Sequence, residues 1–278
     1  MSTPIIRNGK FHAGKDCTIG ENVVVEVAEE VVIGDRCVIT DNTYFGGRRV
    51  EIGSDFYGYG WEWKRLDIGR GRIDEEDAIL TVGSRCTFHD NRIDLARRVT
   101  IGDDVGLSPE VVIYTHGYWQ SMLDGFSCDY EKVEIWQRSI IGFRSLLLPG
   151  AVVENDIVVG AQSTVTGRLF GGGVVFAGCP AKRINAVRRP VLAERQELLR
   201  GILEEYERTV VYRFGKGQHK GLLAVDYPVV DFCGIKLDVE KLTVEGEEDE
   251  RSDDLRDFLF KRGIRIYTKR RFKKLGRK

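Results

Sequence analysis

The chain has 278 residues, with 42 Lys and Arg against 43 Asp and Glu, a formal net charge of −1. That balance argues against a surface built throughout to hold nucleic acid or an anionic membrane. With 42% apolar and 31% charged residues the chain can bury a core. No apolar run reaches the roughly 20 residues of a membrane span, and Met1 to Lys10 lacks a signal-peptide stretch, so a cytoplasmic protein is expected. Its length allows one or two domains. Glycine is abundant at 32 residues and proline scarce at 6, which describes a chain that turns often and regularly.

The turns follow a period. Aliphatic–glycine pairs recur at Ile19-Gly20, Ile33-Gly34, Ile52-Gly53, Ile68-Gly69, Val82-Gly83, Ile101-Gly102, Ile141-Gly142 and Val159-Gly160. Large apolar residues are spaced by six: Ile33, Ile39, Phe45; Val82, Phe88; Ile101, Leu107, Ile113; and the longest series, Ile135, Ile141, Leu147, Val153, Val159, Val165. Four residues after members of that last series come Ser139, Ser145, Ala151, Ile157 and Ser163, all small or β-branched. A helix repeats near 3.6 and an amphipathic strand at 2, so neither explains six. A triangular coil does: each side is a short strand with one large side chain inward, and a small one fits the tight corner. Stacked coils would form parallel sheets with strands about 4.8 Å apart. Cys37 and Cys86 fall at the small corner position, and Cys17 stands in a similar context before Ile19. The six cysteines contain no CxxC pair and no zinc-ligand spacing, and read as reduced, buried apolar residues.

The period fails twice. Between Ile52 and Ile68 it is interrupted by an aromatic run containing Tyr57, Tyr59, Trp61 and Trp63, and it is lost again from Tyr118 to Glu134. Flat aromatic faces bind sugar rings and also fill subunit contacts, and both readings stay open for Trp61 and Trp136. Of the four histidines, His116 lies three residues past the inward Ile113, where the second excursion begins. His89 follows the inward Phe88 and is expected on the surface or in a groove.

Three segments carry a family resemblance. Ile101-Gly102-Asp103-Asp104-Val105 through Ser108-Pro109 to Ile113-Tyr114-Thr115-His116-Gly117 is one. Leu148-Pro149-Gly150-Ala151-Val152 with Val159-Gly160-Ala161-Gln162-Ser163 is the second, and Ala177-Gly178-Cys179-Pro180-Ala181-Lys182-Arg183-Ile184 the third. Together they resemble the left-handed β-helix acyltransferases of the hexapeptide-repeat family, over about residues 15 to 187, and among them the sugar and polysaccharide O-acetyltransferases. The chain departs from the family's pattern at Ile140, where a Trp is frequent, and at Gln162 and Gly167.

The resemblance implies a homotrimer that uses acetyl-coenzyme A as acyl donor, without a metal, on a sugar or saccharide hydroxyl. His116 would be the general base, since an imidazole can take the hydroxyl proton at neutral pH. Asn91, Asp90, Asp94, Trp61 and Trp136 are candidates for acceptor binding, the carboxylates because they accept sugar O–H bonds. Gly142, Phe143, Ala161, Thr166, Lys182 and Arg183 are candidates for coenzyme A, the last two through its phosphates. Transfer to the nitrogen of an amino sugar, a nucleotide-linked amino sugar or an amino acid is the alternative, as is a non-catalytic scaffold. A γ-class carbonic anhydrase would need a third zinc-binding His that the spacing does not supply.

Beyond residue 187 a helix is expected over 188–208, with Pro190 in its first turn and an apolar stripe at Val191, Leu192, Leu198, Leu199, Ile202 and Tyr206. It would fold over the last coil or join a neighbouring subunit. Residues 209–278 read as a small α/β appendage. Strands are expected over Thr209–Phe214, Leu222–Tyr227, Ile235–Val239 and Ile264–Tyr267, with a short helix starting at Ser252 and ended by Gly263. The tail from Lys269 is basic and reads mainly as a solvated end, with membrane contact the lesser alternative and nucleic acid unsupported.

Overall fold

Each hexad forms one side of a triangular coil. In the computed structural model, which describes residues 2–59, 65–214 and 223–272, these sides stack into three parallel faces. The first face stacks Thr18–Ile19, Val38–Ile39, Tyr57–Gly58, Thr87–Phe88, Gly106–Leu107, Ile140–Ile141, Ile157–Val159 and Val174–Ala177. The second begins at the Val24 end of the long strand Val24–Ile33. It continues through Tyr44–Gly47, Asp67–Ile68, Arg92–Ile93, Val112–Ile113, Leu146–Leu147 and Thr164–Val165. The third begins at the Ile33 end of that same strand and runs through Arg49–Ile52, Ile79–Val82, Val99–Ile101, Val133–Ile135, Val152–Val153 and Arg168–Leu169. Strand Ile5–Ala13 lies along Val24–Ile33 at one end. At the other, Lys182–Ala186 turns back antiparallel on Val174–Ala177. The fold is the parallel β-helix that the period of six implies.

The core confirms the phase. Ile135, Ile141, Leu147, Val153, Val159 and Val165 are all buried, as are the corner residues Ser139, Ser145, Ala151, Ile157 and Ser163. The corners use their small side chains to tie one coil to the next. Cys17, Cys37 and Cys86 direct their thiols to the carbonyls of Gly34, Gly53 and Gly102, and Ser139 and Ser145 donate to those of Glu154 and Gly160. Burial pushes the Cys37 and Cys86 thiols up to about 12. In the native protein, Cys128, Cys179 and Cys233 are therefore expected to react with a thiol reagent at pH 8. Cys17, Cys37 and Cys86 should stay protected until the chain is unfolded. Rapid labelling of all six thiols without denaturant would contradict this packing.

One corner column was not anticipated. Between the third and first faces, Arg36 forms a two-point ion pair with Asp55, Arg85 with Asp104 and Arg138 with Asp156. All six residues have φ between 56° and 62°, the left-handed conformation a tight corner requires. Alternating charge up the column lets each corner residue meet an opposite partner in the coil above or below.

The interruption at the aromatic run is smaller than expected, because Tyr57–Gly58 continues the first face beside Thr87–Phe88. Gly58 occupies the inward place, and a Cβ there would come within 3.0 Å of the Phe56 ring and 3.4 Å of Leu66. The neighbouring side chains fill the space that the missing one leaves. Trp61 and Trp63 lie outside the described residues.

The chain divides into two compact units, Met1–Arg188 and Arg189–Lys278. In the second, helix α1 (Leu192–Phe214) extends through the segment expected as the strand Thr209–Phe214. Propagating an existing helix costs less than ending it and nucleating a new element. Its buried residues Leu199, Leu203 and Tyr206 belong to this unit's own core with Val230, Phe232 and Leu237. Those partners come from a four-stranded antiparallel sheet of Leu223–Asp226, Val229–Phe232, Ile235–Asp238 and Thr243–Glu245.

Helix α2 (Glu250–Phe260) starts before Ser252, because Asp249 takes the N-cap and Ser252 completes a capping box from the third position. No strand forms over Ile264–Tyr267. The buried Arg256 guanidinium instead donates to the carbonyls of Ile266 and Arg270 and pairs with Glu248 and Asp253. A side chain thus holds backbone that a sheet ladder would otherwise satisfy. Arg270, at the start of the basic tail, is paired with Asp253, and residues 273–278 lie outside the described residues. No described helix is long and apolar enough to cross a membrane.

Candidate active site

The corner between the second and third faces departs from regular coiling in two places. After Asp67–Ile68 the chain leaves the coil and returns at Ile79–Val82. After Val112–Ile113 it leaves again and returns at Val133–Ile135. The coil between them turns tightly through Asp94. Because Asp67–Ile68, Arg92–Ile93 and Val112–Ile113 are successive rungs of one parallel sheet, their three exits open at the same corner.

His116 stands at the third exit. His116–Gly117 pairs antiparallel with Asp129–Tyr130, which fixes the base of the outgoing loop. Asp94, one coil below, places Oδ2 2.7 Å from His116 Nδ1 and accepts from Thr115 Oγ1 at 2.7 Å. Arg72, from the first excursion, donates from Nε to Asp94 Oδ1 at 2.8 Å. Its Nη2 lies 3.2 Å and 3.1 Å from the two ring nitrogens of His116. Near-equal distances put that nitrogen over the face of the imidazole, because in the ring plane it would collide with Cε1. With the Asp94 carboxylate accepting from Nδ1–H, a neutral His116 carries its lone pair on Nε2. That is the protonation pattern of a base.

Burial pushes the Asp94 carboxyl up. The hydrogen bonds from Thr115 and His116 and the charge of Arg72 outweigh that, so it stays below the ordinary carboxylate range. The side chains of Asp94, His116 and Arg72 are 10%, 18% and 21% exposed. They face a cleft of about 310 Å³ lined also by Asp67, Arg70, Arg92, Ile93 and Tyr114. Tyr118 and Tyr130 stand 5.6 Å and 5.8 Å from the His116 ring and stack on each other at 6.0 Å. The arrangement can remove a proton from a group brought to His116 and offers flat aromatic surface beside it.

The other predicted residues are divided among the corners. Asp90 and Asn91 lie at the corner between the first and second faces, away from His116. Asn91 is 1% exposed; its Oδ1 accepts from the His89 N–H and its Nδ2 donates to the Ser108 carbonyl, so it ties coils together and is not open to an acceptor. It holds the buried position just before a second-face strand, as Ser145 and Ser163 do two and three coils on. Asp94 is turned onto His116, Thr115 and Arg72, where the expectation had it reading substrate hydroxyls. Trp136 sits at the third corner, with Arg168 5.3 Å above its ring, and is not brought to His116. Trp61 lies outside the described residues. His89 is half-buried and stacks on Tyr59 at 5.4 Å, and burial lowers its pKa.

Gly142 and Phe143 share one layer of the corner between the first and second faces, and Ala161 lies in the next. Gly142 is required there, since a Cβ would come within 2.6 Å of the Ala161 nitrogen. Thr166 is exposed in the His116 corner two coils on, and Lys182 and Arg183 are exposed on the closing strand. Among the described residues no group of His, Cys, Asp and Glu side chains gathers as a metal site.

Sequence reasoning missed Arg72, Arg92, Tyr118 and Tyr130. The available signal was that Tyr118 and Tyr130 lie in the second segment where the hexads break; Arg72 lies in the excursion between Ile68 and Ile79, which the sequence reading did not mark.

No protein-family model and no curated protein matches the chain. Solved structures do. The polysialic acid O-acetyltransferase OatWY is similar at 18% identity over 73% of this chain and 98% of its own, with a TM-score of 0.50. The polySia-specific acetyltransferase NeuO is similar at 19% identity over 74% of this chain and 98% of its own, with a TM-score of 0.43. A mutant of AntD, an N-acyltransferase from Bacillus cereus, in complex with dTDP and coenzyme A, matches at 19% identity. That match covers 68% of this chain and 91% of the other, with a TM-score of 0.41. At these identities the likeness is one of fold.

Proposed function

We propose that the chain is an acyl-coenzyme A-dependent acyltransferase that moves an acetyl group to a sugar or polysaccharide-precursor hydroxyl. The observation that carries this reading is His116 held by Asp94 and Arg72 in a cleft at the exits of the β-helix. The resemblance of the sequence around His116 to sugar O-acetyltransferases supports it, and so does the fold shared with OatWY.

In the proposed reaction the acceptor hydroxyl oxygen attacks the thioester carbonyl as Nε2 of His116 takes its proton. The tetrahedral intermediate then collapses with loss of the C–S bond, and the thiolate leaves with the proton returned by His116. Asp94 keeps the imidazole in the productive tautomer and balances the imidazolium.

The donor would lie along Gly142, Phe143, Ala161 and Thr166, with its phosphates toward Lys182 and Arg183. The residues suit that ligand: Phe143 is 37% exposed and offers a flat face. Lys182 and Arg183 carry exposed cations with no ion-pair partner among the described residues. Gly142, Phe143 and Ala161 occupy a different corner from His116. A homotrimer, as the resemblance implies, would bring one subunit's donor corner toward the next subunit's His116. The six free cysteines support a cytoplasmic setting.

Calorimetric titration with coenzyme A and acetyl-coenzyme A tests the donor half. Micromolar binding of one per subunit is expected, and no binding at millimolar ligand would move the weight to a scaffold. Asp94→Asn tests the site. It is expected to lower kcat for thiol release in the presence of saccharide acceptors by about 10²-fold or more while leaving donor affinity unchanged. The same variant carries a pH signature. The folded carboxyl of Asp94 is depressed, so its stabilising contribution is present above the ordinary carboxylate range and lost as pH falls through the folded value. The difference in melting temperature between wild type and variant should be full at pH 6 and vanish in strong acid. An undiminished kcat in Asp94→Asn would remove Asp94 from the mechanism.

A further inference from the structure

The charges lining the His116 cleft do not cancel. Three arginines, Arg70, Arg72 and Arg92, face two aspartates, Asp67 and Asp94. Asp67 is shared by Arg70, whose Nε is 2.9 Å from Oδ2, and by Arg65 at 3.4 Å. Arg70 is further held with its guanidinium 3.6 Å over the Tyr44 ring. Asp94 is shared by Arg72 and His116, and Arg72 has Glu75 at 3.7 Å as a second partner. Arg70 and Arg72 are thus fixed by carboxylates of the protein itself.

Arg92 is different. It projects from the second-face strand Arg92–Ile93, is exposed, lines the cleft, and has no ion pair or side-chain hydrogen bond among the described residues. A guanidinium offers a planar fork of donors that matches a carboxylate or phosphate at two points. Its strand places it beside Asp94, two residues on, and next to Val112–Ile113, the strand that leads into His116.

We infer that Arg92 is a specificity residue that binds an anionic group on the acceptor, so that the natural acceptor is an acidic sugar unit. This rests on the reading of the cleft as an acyl-acceptor site and narrows its substrate class. A cleft of about 310 Å³ lies at the small end of ligand pockets and suits one monosaccharide unit carrying its anion. The anion would sit on Arg92 while a hydroxyl of the same ring reaches His116. The ring itself would lie against Tyr118 and Tyr130. A surplus positive cleft also steers an anionic acceptor inward, an effect that weakens with salt.

The test compares probes that differ in charge: methyl glucuronoside, glucose 6-phosphate and uncharged methyl glucoside. Equilibrium binding is measured by calorimetry at low and high salt, on wild type, Arg92→Gln and Arg92→Lys. Wild type should bind at least one anionic probe about tenfold or more tighter than methyl glucoside. Arg92→Gln should abolish that preference without changing affinity for methyl glucoside, and Arg92→Lys should restore part of it. Preference for the glucuronoside identifies a carboxylate, and preference for glucose 6-phosphate a phosphate. Arg92 is exposed on a short strand, so Arg92→Gln should fold, which circular dichroism checks.

The inference is overturned if no anionic probe outbinds methyl glucoside at 50 mM, the upper end of the titration, or if Arg92→Gln leaves the preference intact. Its failure is separable from that of the acyltransferase reading. Acetyl transfer to sugars that ignores charge and Arg92 sinks only the inference. Anion binding that depends on Arg92, in a protein that transfers no acetyl group, sinks only the reading.

Discussion

Replacing His116 by Ala is expected to lower kcat/KM for acetyl transfer by about 10²–10⁴-fold, the range lost when a positioned general base is removed. The fold should survive. His116 lies at the mouth of an excursion rather than in the core, and Asp94 keeps Thr115 and Arg72 as partners when the imidazole is gone. No buried charge is left uncompensated, so the melting temperature should move by no more than a few degrees. Donor affinity should also be unchanged, because the proposed contacts to coenzyme A are made by Gly142, Phe143, Ala161, Thr166, Lys182 and Arg183 and not by His116. Steady-state assay of thiol release, with a thermal melt of the same preparation, reads all three. Turnover at the wild-type rate would overturn the assignment of His116.

The largest loss of stability is expected from Phe88→Ala, at about 3–5 kcal/mol. Phe88 is fully buried on the first face, with its ring 5.0 Å from that of Phe56 in an edge-on contact. The inward position below it in the column is Gly58, which contributes no side chain. Truncating Phe88 would remove the ring that packs edge-on against Phe56 and open a void in that coil, which Gly58 has no side chain to fill and where backbone ladders on both sides resist collapse. Coils contact only their neighbours, so the damage should be local. Amide exchange should quicken in the coils holding Asp67–Ile68, Arg92–Ile93 and Val112–Ile113, which carry the candidate site. Equilibrium urea unfolding measures the loss, and a value under 1 kcal/mol would mean that Phe56 swings over to fill the gap.

Much of the β-helix was legible because its determinants are local. Side-chain direction in a short strand depends only on position within six residues, so Ile135 through Val165 and the corner serines could be placed inside without any knowledge of neighbours. The same phase buried Cys37 and Cys86. His116 was found because it marks where the phase stops. The C-terminal unit was less legible. Its α1 helix ran past the expected end, and the extended segment after α2 is held by Arg256 instead of a sheet, a contact between residues 10 and 14 apart that no periodicity signals.

By itself the sequence determined the coil, its inward face, its small corners and the position of a histidine at a break. Only the tertiary structure decided what that histidine touches. Arg72 and Asp94 reach it from 44 and 22 residues away, through loops whose course has no period. It also decided which corner each candidate occupies, burying Asn91 as a coil tie, setting Trp136 apart and leaving Arg92 open in the cleft. A hexad repeat specifies inside against outside for every residue. Which residues meet across the outside depends on how many residues each coil inserts before returning, and that is settled only when the coils stack.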